Sequence, residues 1–143
     1  MTKIKNIQSV AVGLAIHKDK ILSYEVEDKI SKKRFYRLIG GHIEYGEYSK
    51  DALEREFKEE VGQDIKIIKK LEVFENLFFY KGEAQHEFVS LFLVEFINKE
   101  VYSMKDIVGV EKSVQAFIAN WQLISDFRIG KKKIYPPQIL KYV

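Results

Sequence analysis

Between residues 9 and 16 the apolar side chains Val10, Val12, Leu14 and Ile16 alternate with the small residues Ala11, Gly13 and Ala15. That two-residue period predicts a strand whose small face can lie under a helix. A turn at Lys18 and Asp19 separates it from a second alternating set, Leu22, Tyr24 and Val26, so the two segments are expected to form a hairpin. Residues 35–39 read as another short strand, ended by Gly40 and Gly41. The period then changes. From 49 to 61 there is neither Gly nor Pro, and Leu53, Phe57 and Val61 recur every four residues, which is the apolar stripe of a helix. Gly62 is placed to terminate it.

Residues 65–74 follow, and then 77–80 and 87–96 flank a turn around Lys81 and Gly82, a second hairpin. Its second arm carries Phe88, Phe92 and Val94 on one face and Val89, Leu91 and Leu93 on the other, so it should be a central strand covered on both sides. Residues 98–113 are polar and contain Gly109, which predicts a long loop with at most a helical turn. A last strand is expected over 115–122, near Trp121, and Pro136 and Pro137 open a short C-terminal helix bearing Ile139, Leu140 and Val143. Strands on both sides of one long helix make an α/β chain with a mixed sheet packed between helices, and no linker divides residues 1–143 into more than a single domain.

Composition agrees with one packed core: 46% of the 143 residues are hydrophobic. Lys and Arg (24) nearly balance Asp and Glu (21), and a net charge of +3 argues against a nucleic-acid partner. Basic clusters do occur at Lys32, Lys33 and Arg34 and at Lys131, Lys132 and Lys133, where they could attract an anionic ligand. With no cysteine there can be no disulfide, thiolate metal site or cysteine nucleophile. The polar, basic N-terminus lacks a signal-like apolar run and no segment is long enough to span a bilayer, so no membrane association and a cytoplasmic location are expected.

The chemistry is concentrated in residues 41–63, GHIEYGEYSKDALEREFKEEVGQ. On a helix Glu56, Glu59 and Glu60 stand at i, i+3 and i+4, within reach of one ion. Left without a counter-charge, each like-charged i,i+4 pair costs roughly 0.2–0.5 kcal/mol. Oxygen-only ligands suit a hard cation, Mg2+ or Mn2+. Gly40, Gly41 and Gly46 let the chain bend tightly before the helix, Glu47 sits at the helix entrance, and the planar fork of Arg55 can hold a carboxylate such as Glu47. Glutamates clustered on a helix are usually just a solvated face. The wider spacing argues otherwise: Gly, five residues, Glu, seven residues, Arg-Glu, an apolar residue, one further residue, Glu-Glu, one residue, Gly. Seven fixed letters at ordinary usage match by chance on the order of once in 10⁸ to 10⁹ windows.

Gly41, Glu47, Arg55, Glu56, Phe57, Glu59, Glu60 and Gly62 together resemble the signature box of the Nudix hydrolase family (MutT-like). Two positions depart from it: Gln63 stands where the box closes on an aliphatic residue, and the frequent Leu-Pro-Gly-Gly lead-in reads Leu38, Ile39, Gly40, Gly41. The resemblance implies a Nudix-type α/β/α sandwich with a mixed central sheet, and metal-dependent hydrolysis of a phosphoanhydride bond in a nucleoside diphosphate linked to another moiety. It implies Glu56 and Glu60 as the principal magnesium ligands, Glu59 as a further ligand or a base, a carbonyl lent by the Gly41 region, Glu47 as an additional metal-site carboxylate, and Arg55 as a further catalytic residue. Outside the box Glu87, Glu100 and Glu111 are candidates for the group that takes a proton from water, and His86, Glu87 and Tyr80 for substrate binding.

The substrate is a small-molecule nucleotide by the same resemblance, and a homodimer is compatible with it. Relatives that cut ADP-ribose often carry proline 15 residues after the box, where Phe78 stands; those that cut diadenosine polyphosphates carry a tyrosine 16 to 18 after it, and Tyr80 lies at 17. The comparison leans toward nucleoside or dinucleoside polyphosphates. ADP-ribose or nucleotide-sugar cleavage, and nucleotide sensing without turnover, are the alternatives.

Overall fold

The computed structural model describes residues 5–111 and 115–143. Its first strand, β1 (Gln8–Leu14), is covered on both faces, and this decides its partners. Ala11 and Gly13 face the helix α1 (Ser49–Val61) so closely that a Cβ on Gly13 would lie 2.7 Å from the Phe57 ring. Val10, Val12 and Leu14 pack into a second core on the other side. Such a strand belongs in the middle of a sheet, and β1 lies between β5 (Ile39–His42), antiparallel, and β7 (Glu83–Phe96), parallel. The hairpin expected between β1 and residues 22–26 therefore does not form. Only the short β2 (Ile16–His17) pairs with β3 (Lys20–Glu27), and β3 lies in a different sheet.

The first sheet has the order β5-β1-β7-β6, where β6 (Ile65–Tyr80) and β7 form the second expected hairpin. Lys81 (φ 53°) and Gly82 (φ 75°) are both left-handed, the geometry of a tight two-residue hairpin turn. Phe88, expected on a covered face, is 39% exposed, because its row lies beyond the cluster that takes in Phe92 and Val94. The second sheet runs β2-β3-β9-β8, with β4 (Arg34–Arg37) on the free side of β3. Its β9 (Gln115–Leu123) is the last strand expected, whereas β8 (Asp106–Glu111) corrects the reading of residues 98–113 as loop. Lys99–Ser103 is a 3-10 turn, but Gly109 does not break the strand that follows; it makes room for the Phe117 ring, which a Cβ would approach to 2.3 Å.

Leu53 and Phe57 of α1 meet Ala11, Ile39, Phe92 and Val94 of the first sheet and Ile107 and Ala119 of the second. On the opposite face Leu14, Phe74, Val89 and Leu91 are covered by Phe127 of α2 (Ile124–Arg128), by Ile134 and by Ile139 of the closing 3-10 turn, Pro137–Tyr142. Helical layers thus flank a mixed sheet. Gly62 (φ 68°) caps α1, its amide donating to the Lys58 carbonyl.

One buried acid joins the two sheets. Asp28 accepts the amides of Ile30 and Ser31 in the β3–β4 turn and, through its other oxygen at 3.1 Å, the amide of Lys81 in the β6–β7 turn. The tip of the long hairpin is thereby fixed beside β4.

Candidate active site

The loop before α1 closes on itself, Glu47 N–H donating to the Glu44 carbonyl and Glu44 N–H to the Glu47 carboxylate, with Gly46 (φ 85°) making the bend. Arg55, two turns into α1, then reaches back. Its Nε and Nη2 donate to the two oxygens of Glu47 at 2.8 and 2.9 Å, Nη1 to Glu56 at 2.9 Å and Glu59 at 3.2 Å, and Nη2 to the His42 carbonyl at 3.1 Å. One guanidinium thus ties the loop, the helix and the end of β5 together. The Arg55 hydrogen bonds, with the Glu44 amide, hold the Glu47 carboxyl down at about 2.

Glu60 is one turn further along and faces inward, 9% exposed. Burial, and then the charges of Glu56 and Glu111, push its carboxyl up to about 8, against the opposing Gly40 amide. The Glu56 carboxyl is also raised, burial outweighing Arg55. Beneath it Gly41 is a necessary gap, since a Cβ there would fall 2.4 Å from the Glu56 carboxyl carbon. Glu59 is directed to Arg55 and its side chain is 61% exposed.

Glu56, Glu60 and Glu111 line one end of a cleft of about 1080 Å³, together with Gly40 and Gly41. The other end is aromatic. Phe35, Tyr80 and Tyr135 line it, with Phe35 edge-on to both tyrosines at 6.1 and 5.3 Å. The Arg37 guanidinium lies 5.1 Å from the Phe35 ring and 4.8 Å from the Tyr80 ring, held by π faces. Tyr135 reaches this wall because Ile134 runs beside β4, with Tyr36 N–H bonded to the Lys133 carbonyl and Tyr135 N–H to that of Tyr36.

Of the residues named from sequence, Glu47, Arg55, Glu56 and Glu59 are brought together around the guanidinium, Gly41 and Glu60 meet Glu56 at the cleft, and Tyr80 and Glu87 line its far part. His86 is not brought there. It stands on the opposite face of β7 from Glu87, 3.6 Å from Glu75 and stacked on Phe88, because neighbours on a strand point apart. Glu111 does line the cleft, whereas Glu100 belongs to the 3-10 turn after β7. Sequence reading missed Arg37, Phe35 and Tyr135. Alternation in β4 could have paired Phe35 with Arg37, but nothing local announces Tyr135.

Among the described residues no group of three His, Asp or Glu side chains is set to hold a metal by itself. Glu60, buried, and Glu56, part-buried and paired with Arg55, nevertheless press on each other beside backbone that Gly40 and Gly41 leave open, and among the described residues no cation pairs with Glu60. This donor set fits magnesium, which takes one or two carboxylates and fills its shell with water and phosphate oxygens.

Comparison with known proteins agrees with this architecture. The family model of the NUDIX domain matches residues 8–136. The chain is also similar in structure to the MutT NUDIX hydrolase from Burkholderia pseudomallei (TM-score 0.65, 16% identity, 97% of this chain and 99% of that one). It is similar to a NUDIX hydrolase from Nitrosomonas europaea (0.61, 19%, 95% and 85%) and to the E. coli ORF135 protein (0.63, 18%, 94% and 85%). A search of curated proteins finds no match. The chain belongs to the Nudix family and is a Nudix hydrolase, of a family whose members hydrolyse nucleoside diphosphate derivatives.

Proposed function

We propose that this chain hydrolyses a phosphoanhydride bond in nucleoside or dinucleoside polyphosphates, by attack of water at phosphorus with a divalent cation bound. The observation that carries the reading is one cleft with the carboxylates of part-buried Glu56 and buried Glu60 at one end and the Phe35–Tyr80–Tyr135 wall at the other. A substrate lying along it has its phosphates at the acidic end and its base against the rings. Glu56, Glu60 and the backbone at Gly41 would hold magnesium or manganese, with Glu59 close by on the same helix. When bound, that ion neutralises diphosphate charge and lowers the pKa of a water.

The protein's own groups divide the remaining tasks. Arg55 fixes Glu47 and Glu56 in one orientation. Glu111, the cleft-lining carboxylate outside the box whose charge acts on Glu60, takes the proton of the attacking water. Arg37 offers positive charge between the two ends of the cleft. No helix among the described residues is long and apolar enough to cross a membrane, and a chain without cysteine suits a reducing cytoplasm. Assays of ADP-ribose, nucleotide sugars, dinucleoside polyphosphates, nucleoside triphosphates and capped RNA, with and without magnesium, test the reading. Magnesium-dependent turnover of the polyphosphates is expected. Preference for ADP-ribose or a nucleotide sugar would overturn the substrate choice, and binding without turnover of any would indicate a sensor.

A further inference from the structure

We infer that a polar row on the floor of the cleft, Gln8, Glu87 and Asn76, selects a guanine base; the inference rests on the nucleotide reading above and deepens it. The row follows from strand register. Gln8 of β1 pairs with Glu87 of β7, and Glu87 pairs with Asn76 of β6, so three polar side chains cross three adjacent strands and all line the cleft. The next row on the same face, Val10, Val89 and Phe74, is apolar. The polar row thus lies where the apolar floor gives way, with Gln85, paired to Phe78, in the row beyond it.

Asn76 is 8% exposed and its amide donates to one oxygen of Glu87 at 3.3 Å, which sets the plane of the carboxylate. Among the described residues Glu87 makes no ion pair. A half-buried carboxylate with spare acceptor capacity is costly unless a ligand brings N–H donors to it. The edge of guanine carries two such donors side by side, the ring N1–H and the 2-amino group. Adenine and cytosine each place an acceptor beside their single amino group, and uracil has one N–H between two acceptors. Two carboxylate oxygens, which only accept, match guanine alone among these edges.

The position along the cleft also suits a base. Val12 pairs with Gly40, whose amide Glu60 accepts, and Gln8 lies four residues back along β1 on the same face, roughly 13 Å at the usual strand rise. A nucleoside diphosphate spans that interval between its terminal phosphate and its base edge. Tyr80 stands four residues beyond Asn76 on the same face of β6, where its ring can cover the base.

Calorimetric binding of GMP, IMP, AMP and CMP to the metal-free protein tests base selection apart from catalysis. IMP differs from GMP only by the missing 2-amino group, and a bidentate contact discriminates by about 5- to 150-fold. GMP should bind more tightly than IMP by a factor in that range, and Glu87→Gln, whose amide offers one acceptor and opposes a donor, should bring the two together. Asn76→Ala, which frees the carboxylate from its partner, should narrow the gap less; melting temperatures of both variants show whether they are folded. Equal affinity for GMP and IMP, no measurable binding of either, or a folded Glu87→Gln protein that keeps the preference would overturn the inference. Selective GMP binding without turnover of any nucleotide would leave it standing and strike the catalytic reading instead, and turnover indifferent to the base would do the reverse.

Discussion

Replacing Glu60 with Gln should make the metal-free protein more stable and the enzyme inactive. The side chain is 9% exposed, and its carboxyl is moved from an ordinary 4.5 to about 8, by burial first and then by Glu56 and Glu111. Between those two values the folded chain keeps a proton that the unfolded chain has released, so stability falls as the pH rises through that window. By pH 8 the accumulated penalty is on the order of 4 kcal/mol. Gln keeps the volume and can still accept the Gly40 amide, yet it has no charge to bury. Thermal unfolding in a chelator should show parent and variant nearly alike at pH 5 and the variant higher by about 10 °C at pH 8. Saturating magnesium should raise the parent at pH 8 and leave the variant where it was, while nucleotide hydrolysis by the variant is lost. A stability difference that does not change between pH 5 and pH 8 would refute the account of Glu60 as a charge held against its surroundings.

Arg55→Lys should lower kcat/KM by about 10- to 100-fold, because an ammonium cannot bind both oxygens of Glu47 and also hold Glu56; steady-state kinetics near parental values would show the fork to be dispensable. Gly41→Ala should leave the fold intact but push the Glu56 carboxylate aside, with activity down by about 100-fold and little change in melting temperature; unchanged turnover would mean that Glu56 has room to spare. Tyr80→Ala should raise KM about 5- to 150-fold with kcat little altered, and a variant with normal KM but a lowered melting temperature would make Tyr80 structural only.

The helix and its box were legible because their information is local. The four-residue stripe of Leu53 and Phe57 set the buried side, and the same period carried Glu56 and Glu60 to the cleft. The β6–β7 hairpin was equally plain, since Lys81-Gly82 is a turn in two residues. What escaped depends on partners far apart in the chain. The alternation in β1 is that of any strand, and only the Phe57 ring against Gly13 shows why it leaves β3 for β7. Gly109 read as a breaker because the Phe117 ring that needs its missing side chain lies on the next strand. His86 and Glu87 are neighbours in sequence, yet a strand sends them to opposite faces.

Asp28 gives the cleft a fixed jaw. Its carboxylate accepts amides from two turns that belong to different sheets, and backbone donors cannot rotate away as side chains can. The hairpin tip bearing Tyr80 and the strand bearing Phe35 and Arg37 therefore move as one body, and the aromatic end cannot widen to admit a bulkier group. Any adjustment of this end to a bound ligand must come from side-chain rotation at Tyr80, Phe35 and Tyr135, on the timescale of rotamer flips. A one-residue insertion in either turn would unfasten the jaw, turning a rigid aperture into a hinged one without touching any group that meets the phosphates.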